Sequence, residues 1–213
     1  MFQLLRKFFK RSQSTIDSNV SFIIVGIGNK GERYHNTRHN IGFCVIDAFV
    51  IKCETVAKKK LRNADIVICR TPDRKKAVCA KPSAYVNQSG RAVNELMKTY
   101  GLPLSDCLII VDDLNIPLGE LRFRRRGTDG GHKGLKSIIA ETGADFPRLR
   151  IGIGPLPEGM GRVDFVLGAF EDFDLSVKKE SVNKAADAVV YFMKNGIDAA
   201  MNRFNKESSL KKI

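Results

Sequence analysis

Short apolar runs recur along the chain at lengths that suit buried β-strands. They occupy residues 22–25, 66–69, 77–80 and 108–111. Runs this short favour strands over helices, and the last is expected to end at Asp112 and Asp113. Residues 121–124 alternate between apolar and basic side chains, as an edge strand does, and residues 149–153 alternate in a similar way. The sequence therefore predicts six strands.

A second set of segments carries apolar residues at helical spacing. These segments are residues 41–52, 86–100, 135–140 and 182–193. Asp174 is placed to cap the last helix, and the Asn195–Gly196 pair is placed to stop it. Strand and helix signals alternate from residue 20 to residue 205, which is typical of α/β domains. We expect one domain with a twisted, mostly parallel or mixed sheet covered by helices on both faces, and a frayed tail over residues 206–213.

The chain is strongly basic. Its 36 lysines and arginines outnumber 23 acidic residues, which gives a formal net charge of +13. An excess of this size suits a polyanionic partner, because each neutralised phosphate releases condensed counterions. Solubility alone is the alternative explanation, but the positive charge is concentrated in two stretches. They are residues 58–62 and residues 122–136.

The first residues differ in composition from the rest of the chain. Residues 1–15 combine basic and large apolar side chains and contain no acid, and Asp17 is the first acidic residue. A basic, amphipathic and acid-poor leader is typical of mitochondrial targeting segments. We therefore interpret residues 1–19 as a leader that directs the protein to the mitochondrial matrix. The alternative is a cytoplasmic protein with a basic tail that adds RNA affinity.

Neither the cysteines nor the apolar runs indicate a metal or a membrane. The five cysteines are odd in number, and no pair has C-x-x-C spacing. Most lie in apolar segments, so we expect reduced, buried thiols with neither a disulfide framework nor a zinc site. No apolar run approaches the roughly 20 residues that crossing a bilayer requires. The sequence predicts no metal and no membrane association.

A glycine-rich turn follows the first predicted strand. Residues 26–31 read Gly-Ile-Gly-Asn-Lys-Gly and fit the G-x-G-x-x-G pattern of dinucleotide sites. Such a site also needs a helix at the third glycine and an acidic residue about 20 residues later. Residues 32–40 are polar instead. Asp47 is too near the glycines to be the acidic residue, and it lies among the apolar residues of a predicted helix. A dinucleotide-dependent oxidoreductase is therefore the weaker interpretation.

Four more polar segments carry candidate chemistry. They are residues 34–40, 81–90, 112–119 and 130–134. The two histidines in the first segment are costly to bury without a function, although a surface loop or a helix cap is the alternative. Asp112 follows a buried strand, where α/β folds often place a functional carboxylate. Asn87 has a polar amide after another strand, although it is also placed to begin a helix.

Together these segments resemble the bacterial-type peptidyl-tRNA hydrolases. That family has a G-x-G-N-x-G turn, a T-R-H-N segment, a K-P-x-x-x-x-N-x-S-G segment, an acid-rich turn ending in P-x-G, and a G-G-H-x-G-L loop. The corresponding segments are residues 26–31, 37–40, 81–90, 112–119 and 130–135, in the family's order. The resemblance spans about residues 22–205. It implies a monomeric enzyme, without a cofactor, that hydrolyses the ester between a peptide and the 3′-terminal ribose of tRNA.

The resemblance also implies roles for individual residues. His39 would act as general base on a water, and Asp112 would hold the imidazole in the useful tautomer. Asn29 and Asn87 would hold the peptide and donate hydrogen bonds to developing oxyanion charge. No serine or cysteine nucleophile is needed. The remaining implied substrate contacts are Tyr34, Asn40, Val86, His132 and Lys133.

A separate group of arginines is implied in RNA binding. Arg124 and Arg150 match two basic positions that bind the 5′-phosphate of tRNA in the family. Arg122 adds positive charge beside them, and we call these three residues the arginine patch. This gives the net positive charge a specific place, with peptidyl-tRNA as the partner. A solvated edge-strand side chain is the alternative for any single arginine.

Two positions depart from the family pattern. Val86 replaces the usual methionine and keeps the position apolar. Lys133 replaces the usual asparagine and is expected to place a cation near His39, which would depress the pKa of the histidine. This change makes a non-catalytic RNA-binding relative of the same fold the main alternative function.

Overall fold

One seven-stranded sheet forms the centre of the computed structural model, which describes residues 19–205. The strands are β1 (Phe22–Gly26), β2 (Glu54–Lys60), β3 (Ala64–Arg70), β4 (Lys76–Pro82), β5 (Cys107–Pro117), β6 (Leu121–Arg124) and β7 (Arg148–Gly154). Their order across the sheet is β2–β3–β4–β1–β5–β7–β6. β1 is parallel to β4 and β5, and β5 is parallel to β7, whereas the three outer pairings are antiparallel. The predicted mixed sheet is confirmed.

Helices cover both faces of this sheet, as predicted. They are α1 (Ile41–Ile51), α2 (Ser89–Tyr100), α3 (Lys133–Thr142), α4 (Arg162–Leu167) and α5 (Leu175–Phe204). α1 and α5 pack on one face, around a core that includes Ile24 and Ile110. α2 and α3 pack on the other face, around a core that includes Ile23 and Ile109. Because β1 and β5 are buried on both sides, their sequences are continuously apolar rather than alternating.

The prediction that β5 ends at Asp112 and Asp113 is wrong, because the strand continues to Pro117. Its continuation pairs with β7 through a register shift between Asp113 and Pro117. Gly152 permits this close approach, since a Cβ atom there would lie 1.9 Å from the carbonyl oxygen of Pro117. Both carboxylates are therefore held in the middle of a paired strand, which restricts their movement.

The sequence analysis did not predict two elements, β2 and α4, because neither shows a recognisable apolar periodicity. β2 is an edge strand with mostly exposed side chains, and three successive lysines give it no apolar face. Only pairing with β3 makes it a strand. α4 has six residues, too few for a helical period to be recognised.

The last helix differs from the prediction at both ends. Asp174 occupies the N-cap position, but its side chain accepts no capping hydrogen bond. At the other end, Gly196 interrupts the helix with φ 80°, and a further helical segment then runs to Phe204. Gly196 therefore ends one helical segment as expected, while the chain resumes a helix immediately afterwards.

The predicted leader over residues 1–19 and the predicted tail over residues 206–213 lie outside the described residues, apart from residue 19. The targeting interpretation therefore remains a prediction. Within residues 19–205, none of the helices combines the length and the apolar character that crossing a bilayer would need.

Candidate active site

The carboxyl ends of the parallel strands bring the predicted site residues together. Asn29 follows β1, and Asn87 follows β4. Asp112 lies in β5, two residues beyond the partner of the last residue of β1. Because β1 is parallel to both neighbours, these three residues emerge at the same edge of the sheet. They line a cleft of about 370 Å³ together with Tyr34, His39, Val86, His132, Lys133 and Arg150.

Two histidines share the carboxylate of Asp112. Nδ1 of His39 lies 2.9 and 3.0 Å from the two carboxylate oxygens, and Nε2 of His132 lies 3.0 Å from Oδ1. Asp112 is 5% exposed and His39 is 7% exposed. The segments that supply these three side chains are far apart in the sequence, so only the fold creates the cluster.

The start of α3 fixes the tautomer of His132. Its Nδ1 accepts hydrogen bonds from the backbone N–H groups of Gly134 and Leu135, at 3.1 and 3.2 Å. Nδ1 therefore carries a lone pair, and in the neutral ring the proton lies on Nε2 and is donated to Asp112. His39 in turn donates its Nδ1 proton to Asp112, which leaves its Nε2 free to accept a proton.

This arrangement is poorly suited to a metal ion, although His39, Asp112 and His132 place potential ligand atoms within 4.8 Å of one another. A metal on Nε2 of His132 would require the remaining proton on Nδ1. That atom already accepts from two backbone donors, so the ring would have to become an imidazolate. The cluster instead suits proton transfer.

The cluster also shifts the protonation of its members. Burial lowers the pKa of His39, but attraction to Asp112 and the hydrogen bond between them outweigh burial, so the pKa lies above its usual value. Lys133 acts in the opposite direction and lowers the pKa of His39, as expected from the sequence. Burial raises the pKa of Asp112, but the two histidines more than offset this, so the pKa is far below its usual range and the group stays ionised.

Asn40 and Asn29 hold the turn that carries His39 against the turn after β1. The side chain of Asn40 accepts from the backbone N–H of Asn29 at 2.8 Å and donates to its carbonyl at 2.9 Å. Asn40 is only 3% exposed, so it lies behind the cleft wall. Its amide therefore positions Asn29, and Asn40 is not among the residues that line the cleft. The predicted contact of Asn40 with a substrate stays a prediction.

Asn29 is oriented by a second contact. Its side-chain oxygen accepts a hydrogen bond from the backbone N–H of Val86 at 2.9 Å. This contact turns the NH₂ group of Asn29 toward the cleft, where it can donate to a substrate oxygen. It also ties the turn after β1 to Val86, which is buried and lines the cleft.

Two tyrosines form one rim of the cleft. Tyr34 and Tyr85 meet edge to face with ring centroids 6.4 Å apart. The guanidinium of Arg33 lies 4.6 Å from the centre of the Tyr34 ring. Asn87 follows Tyr85 in a short 3-10 turn (Val86–Gln88) and also lines the cleft.

The arginines predicted to bind phosphate do lie together. Arg122 and Arg124 of β6 pair with Arg150 and Arg148 of β7, so four guanidinium-bearing residues share one face of the sheet edge. Burial, together with the neighbouring Arg122 and Arg150, lowers the pKa of Arg124. Arg150 lines the cleft and forms an ion pair with Asp113, which links the basic patch to the strand that bears Asp112.

One wall of the cleft was not predicted from the sequence. This wall belongs to the short helix α4, and its members are Arg162, Val163, Val166 and Leu167. Another unpredicted residue is Arg148, which is 2% exposed and donates to the carbonyls of Thr128 and Ala144. It thereby anchors the glycine-rich loop that leads to His132.

Known proteins resemble this chain over most of its length. The family model described as "Peptidyl-tRNA hydrolase" matches residues 23–212. A peptidyl-tRNA hydrolase of Fervidobacterium nodosum is 43% identical over 186 residues, covering 86% of this chain and 95% of the relative. One of Phocaeicola vulgatus is 43% identical over 190 residues, covering 88% and 100%. The crystal structure of the Acinetobacter baumannii peptidyl-tRNA hydrolase aligns with a TM-score of 0.80 at 30% identity, covering 89% and 96%.

Proposed function

The chain belongs to the peptidyl-tRNA hydrolase family, and on that premise we propose that it hydrolyses the ester joining a peptide to the 3′-terminal ribose of tRNA. The observation that carries the catalytic assignment is the buried network of His39, Asp112 and His132, which leaves Nε2 of His39 unprotonated and able to accept. An RNA-binding protein without activity has no need for a histidine held in this tautomer.

In the proposed mechanism, Nε2 of His39 removes a proton from a water as the water oxygen attacks the ester carbonyl. Asp112 stabilises the imidazolium that forms. The amides of Asn29 and Asn87 donate to the oxyanion of the tetrahedral intermediate. His39 then returns the proton to the 3′-oxygen of the ribose as the carbon–oxygen bond breaks. The products are a free peptide carboxylate and tRNA.

The purified protein, without added metal or nucleotide, is expected to release tRNA from N-acetyl-aminoacyl-tRNA and largely to spare the same tRNA with a free α-amino group. The free amine has a reference pKa of about 7.7–8.0 and is largely protonated near neutral pH. Entering the cleft would strip water from this cation beside Lys133. The measurement is the release of tRNA over time from the two substrates at equal concentrations.

Lys133→Asn is the control for this experiment. An active wild type establishes the hydrolase, and the variant then measures how much Lys133 contributes to rejecting the free amine. A wild type that is inert beside an active Lys133→Asn would identify a binding protein that Lys133 has inactivated. If both were inert while tRNA still bound, the catalytic roles of His39 and Asp112 would be wrong for this chain.

We further propose that the arginine patch binds the 5′-phosphate of the tRNA. Arg124→Ala and Arg150→Ala are then expected to weaken binding of peptidyl-tRNA far more than binding of a short peptidyl-adenosine ester, which lacks that phosphate. The slope of log affinity against log salt should fall by about 0.9 for each lost duplex phosphate contact. Equal losses on both ligands would mean that these arginines support the cleft instead, which matters for Arg150 because it also pairs with Asp113.

We propose that a single chain is the active unit, since one chain supplies the histidine cluster, the amides and the arginine patch. Sedimentation of the active protein at about its chain mass of 23.7 kDa would support this, and activity only in a larger species would contradict it.

We also propose that residues 1–19 direct the protein to the mitochondrial matrix, on the basis of their acid-poor composition before Asp17. A fluorescent reporter fused behind these residues should enter mitochondria, and removing residues 1–15 should leave hydrolysis unchanged in vitro. Diffuse cytosolic fluorescence would mean that the segment is a basic tail and not a targeting signal.

A further inference from the structure

Arg38 is a buried cation immediately before His39 whose guanidinium points away from the proton-transfer network. It is 9% exposed, and it extends to the segment that follows α4. We propose that Arg38 is a positioning residue that fixes the α4 wall of the cleft against the turn that carries His39. This proposal rests on the proposed hydrolase function, because it assigns the wall to substrate binding.

Several contacts of different kinds join Arg38 to this segment. Its backbone N–H donates to the carbonyl of Gly168 at 3.0 Å, and its Nη1 donates to the carbonyl of Ala169 at 2.5 Å. Its guanidinium lies 4.6 Å from the ring centre of Phe165 and 5.3 Å from that of Phe170. The side chain therefore donates to one backbone carbonyl and contacts two buried rings, while the backbone N–H adds a second hydrogen bond to the same segment.

Thr37 and Asp174 add two further contacts between these segments. Thr37 forms an isolated antiparallel bridge with Ala169. Asp174, whose side chain makes no capping hydrogen bond, places a carboxylate oxygen 3.9 Å from Nη2 of Arg38. The carboxylate thus compensates part of the buried positive charge. These contacts join the turn that carries His39 to Ala169 and Asp174, in the segment that follows α4.

Among the six residues of α4, Phe165 and Val166 pack on the core. α4 is six residues long, and its most extensive contact with another element is with the turn Arg38–Asn40. Val163 is 55% exposed and Leu167 is 37% exposed, so their apolar sides face the open cleft rather than a core. Phe165 is the buried member of the helix, and it is one of the two rings under Arg38.

The catalytic histidine is secured independently of this side chain. His39 is bonded to Asp112, and the turn is held by the contacts of Asn40 with Asn29. Loss of the Arg38 guanidinium should therefore loosen the wall while leaving the general base in place. The wall contributes binding common to the ground state and the transition state, so its loss should appear mainly in KM.

The test compares Arg38→Met, which keeps the length of the side chain, with wild type in the full chain. Backbone amides of residues 164–170 should exchange with deuterium about tenfold faster, which is the effect expected from losing one hydrogen bond from a charged donor. KM for N-acetyl-aminoacyl-tRNA should rise by about tenfold, while kcat changes less than about threefold and the pH midpoint of kcat does not move.

Two further variants complete the design. Val189→Ala truncates a fully buried side chain in α5 and serves as a control for general destabilisation. It should leave KM and the exchange of residues 164–170 at wild-type values. Arg38→Lys keeps the charge and a donor nitrogen, so its KM and exchange rates should lie between those of wild type and Arg38→Met. It replaces Arg38→Met if that variant does not fold.

Faster exchange across the whole domain would mean that Arg38 only stabilises the fold. A lower kcat with an unchanged KM, or a shifted pH midpoint, would mean that Arg38 acts on His39 rather than on the wall. Either outcome overturns the proposal. The exchange measurement needs no turnover, so it still decides the role of Arg38 if the protein proves not to hydrolyse peptidyl-tRNA.

Discussion

His39→Ala should lower the single-turnover rate of ester hydrolysis by about 10²–10⁴-fold, which is the usual contribution of a positioned general base. Binding of tRNA should be nearly unchanged, because phosphate contacts dominate RNA affinity and the arginine patch is separate from His39. The measurement combines single-turnover hydrolysis of N-acetyl-aminoacyl-tRNA with binding of the uncharged tRNA. A variant that keeps near wild-type rates would show that His39 is not the base.

His35 provides a matched control for this substitution. It is another histidine of the same polar segment, but its side chain is exposed and it does not line the cleft within the described residues. His35→Ala should therefore retain wild-type hydrolysis. If both variants lost activity equally, the loss would reflect disturbance of the segment rather than removal of a base.

Asp112→Asn should also reduce the rate strongly, by about 10²–10⁴-fold, because a similar loss follows when the acid of a catalytic triad becomes an amide. The carboxylate accepts from both histidines, whereas an amide would accept with its oxygen and present donors with its nitrogen. His132 cannot change tautomer, since its Nδ1 accepts from two backbone groups. His39 would therefore have to change, and its proton would move to Nε2, where it blocks general-base action.

The pH dependence separates this tautomer effect from simple loss of structure. In wild type the pKa of His39 is raised, so activity should fall as the pH drops through a value above 6.5. In Asp112→Asn, burial and Lys133 remain while the attraction of the carboxylate is lost, so this acid limb should move to lower pH. Profiles of log kcat/KM against pH measure the acid limb of each protein. An acid limb that stays in place would argue against the direct pairing of His39 with Asp112.

Lys133→Asn should move the same limb in the opposite direction. Lys133 lowers the pKa of His39, so its removal should raise that pKa and shift the acid limb to higher pH. The shift should be small, because Lys133 is exposed and its charge is screened by solvent and salt. Asp112→Asn and Lys133→Asn therefore test the electrostatics around His39 through shifts of opposite direction.

Much of the site was predictable because its residues occupy short segments after strands. The T-R-H-N and G-G-H-x-G-L segments identified His39 and His132, and the run at the end of an apolar strand identified Asp112. The sequence could not indicate that both histidines bind one carboxylate. It also could not indicate that Asn40 turns inward, because residue type and spacing do not specify which partner an amide finds.

Elements with strong periodicity or continuous apolar runs were determined by the sequence itself. β1 and β5 are buried on both faces and α2 on one, so their patterns follow directly from burial. β2 and α4 were decided by tertiary structure, because one exists through pairing with β3 and the other through contacts with Arg38 and its turn. The register of β7 against β5, and not any local preference, extends β5 past Asp112.

The sequence alone thus determined the α/β class, the family and most of the candidate site residues, because each leaves a local signal in residue type and spacing. Only the tertiary structure decided the tautomer of His132, the free Nε2 of His39 and the α4 wall of the cleft. These features depend on contacts between segments far apart in the chain. They are stabilised by partners that only folding brings together, and such partners produce no periodic pattern in the sequence.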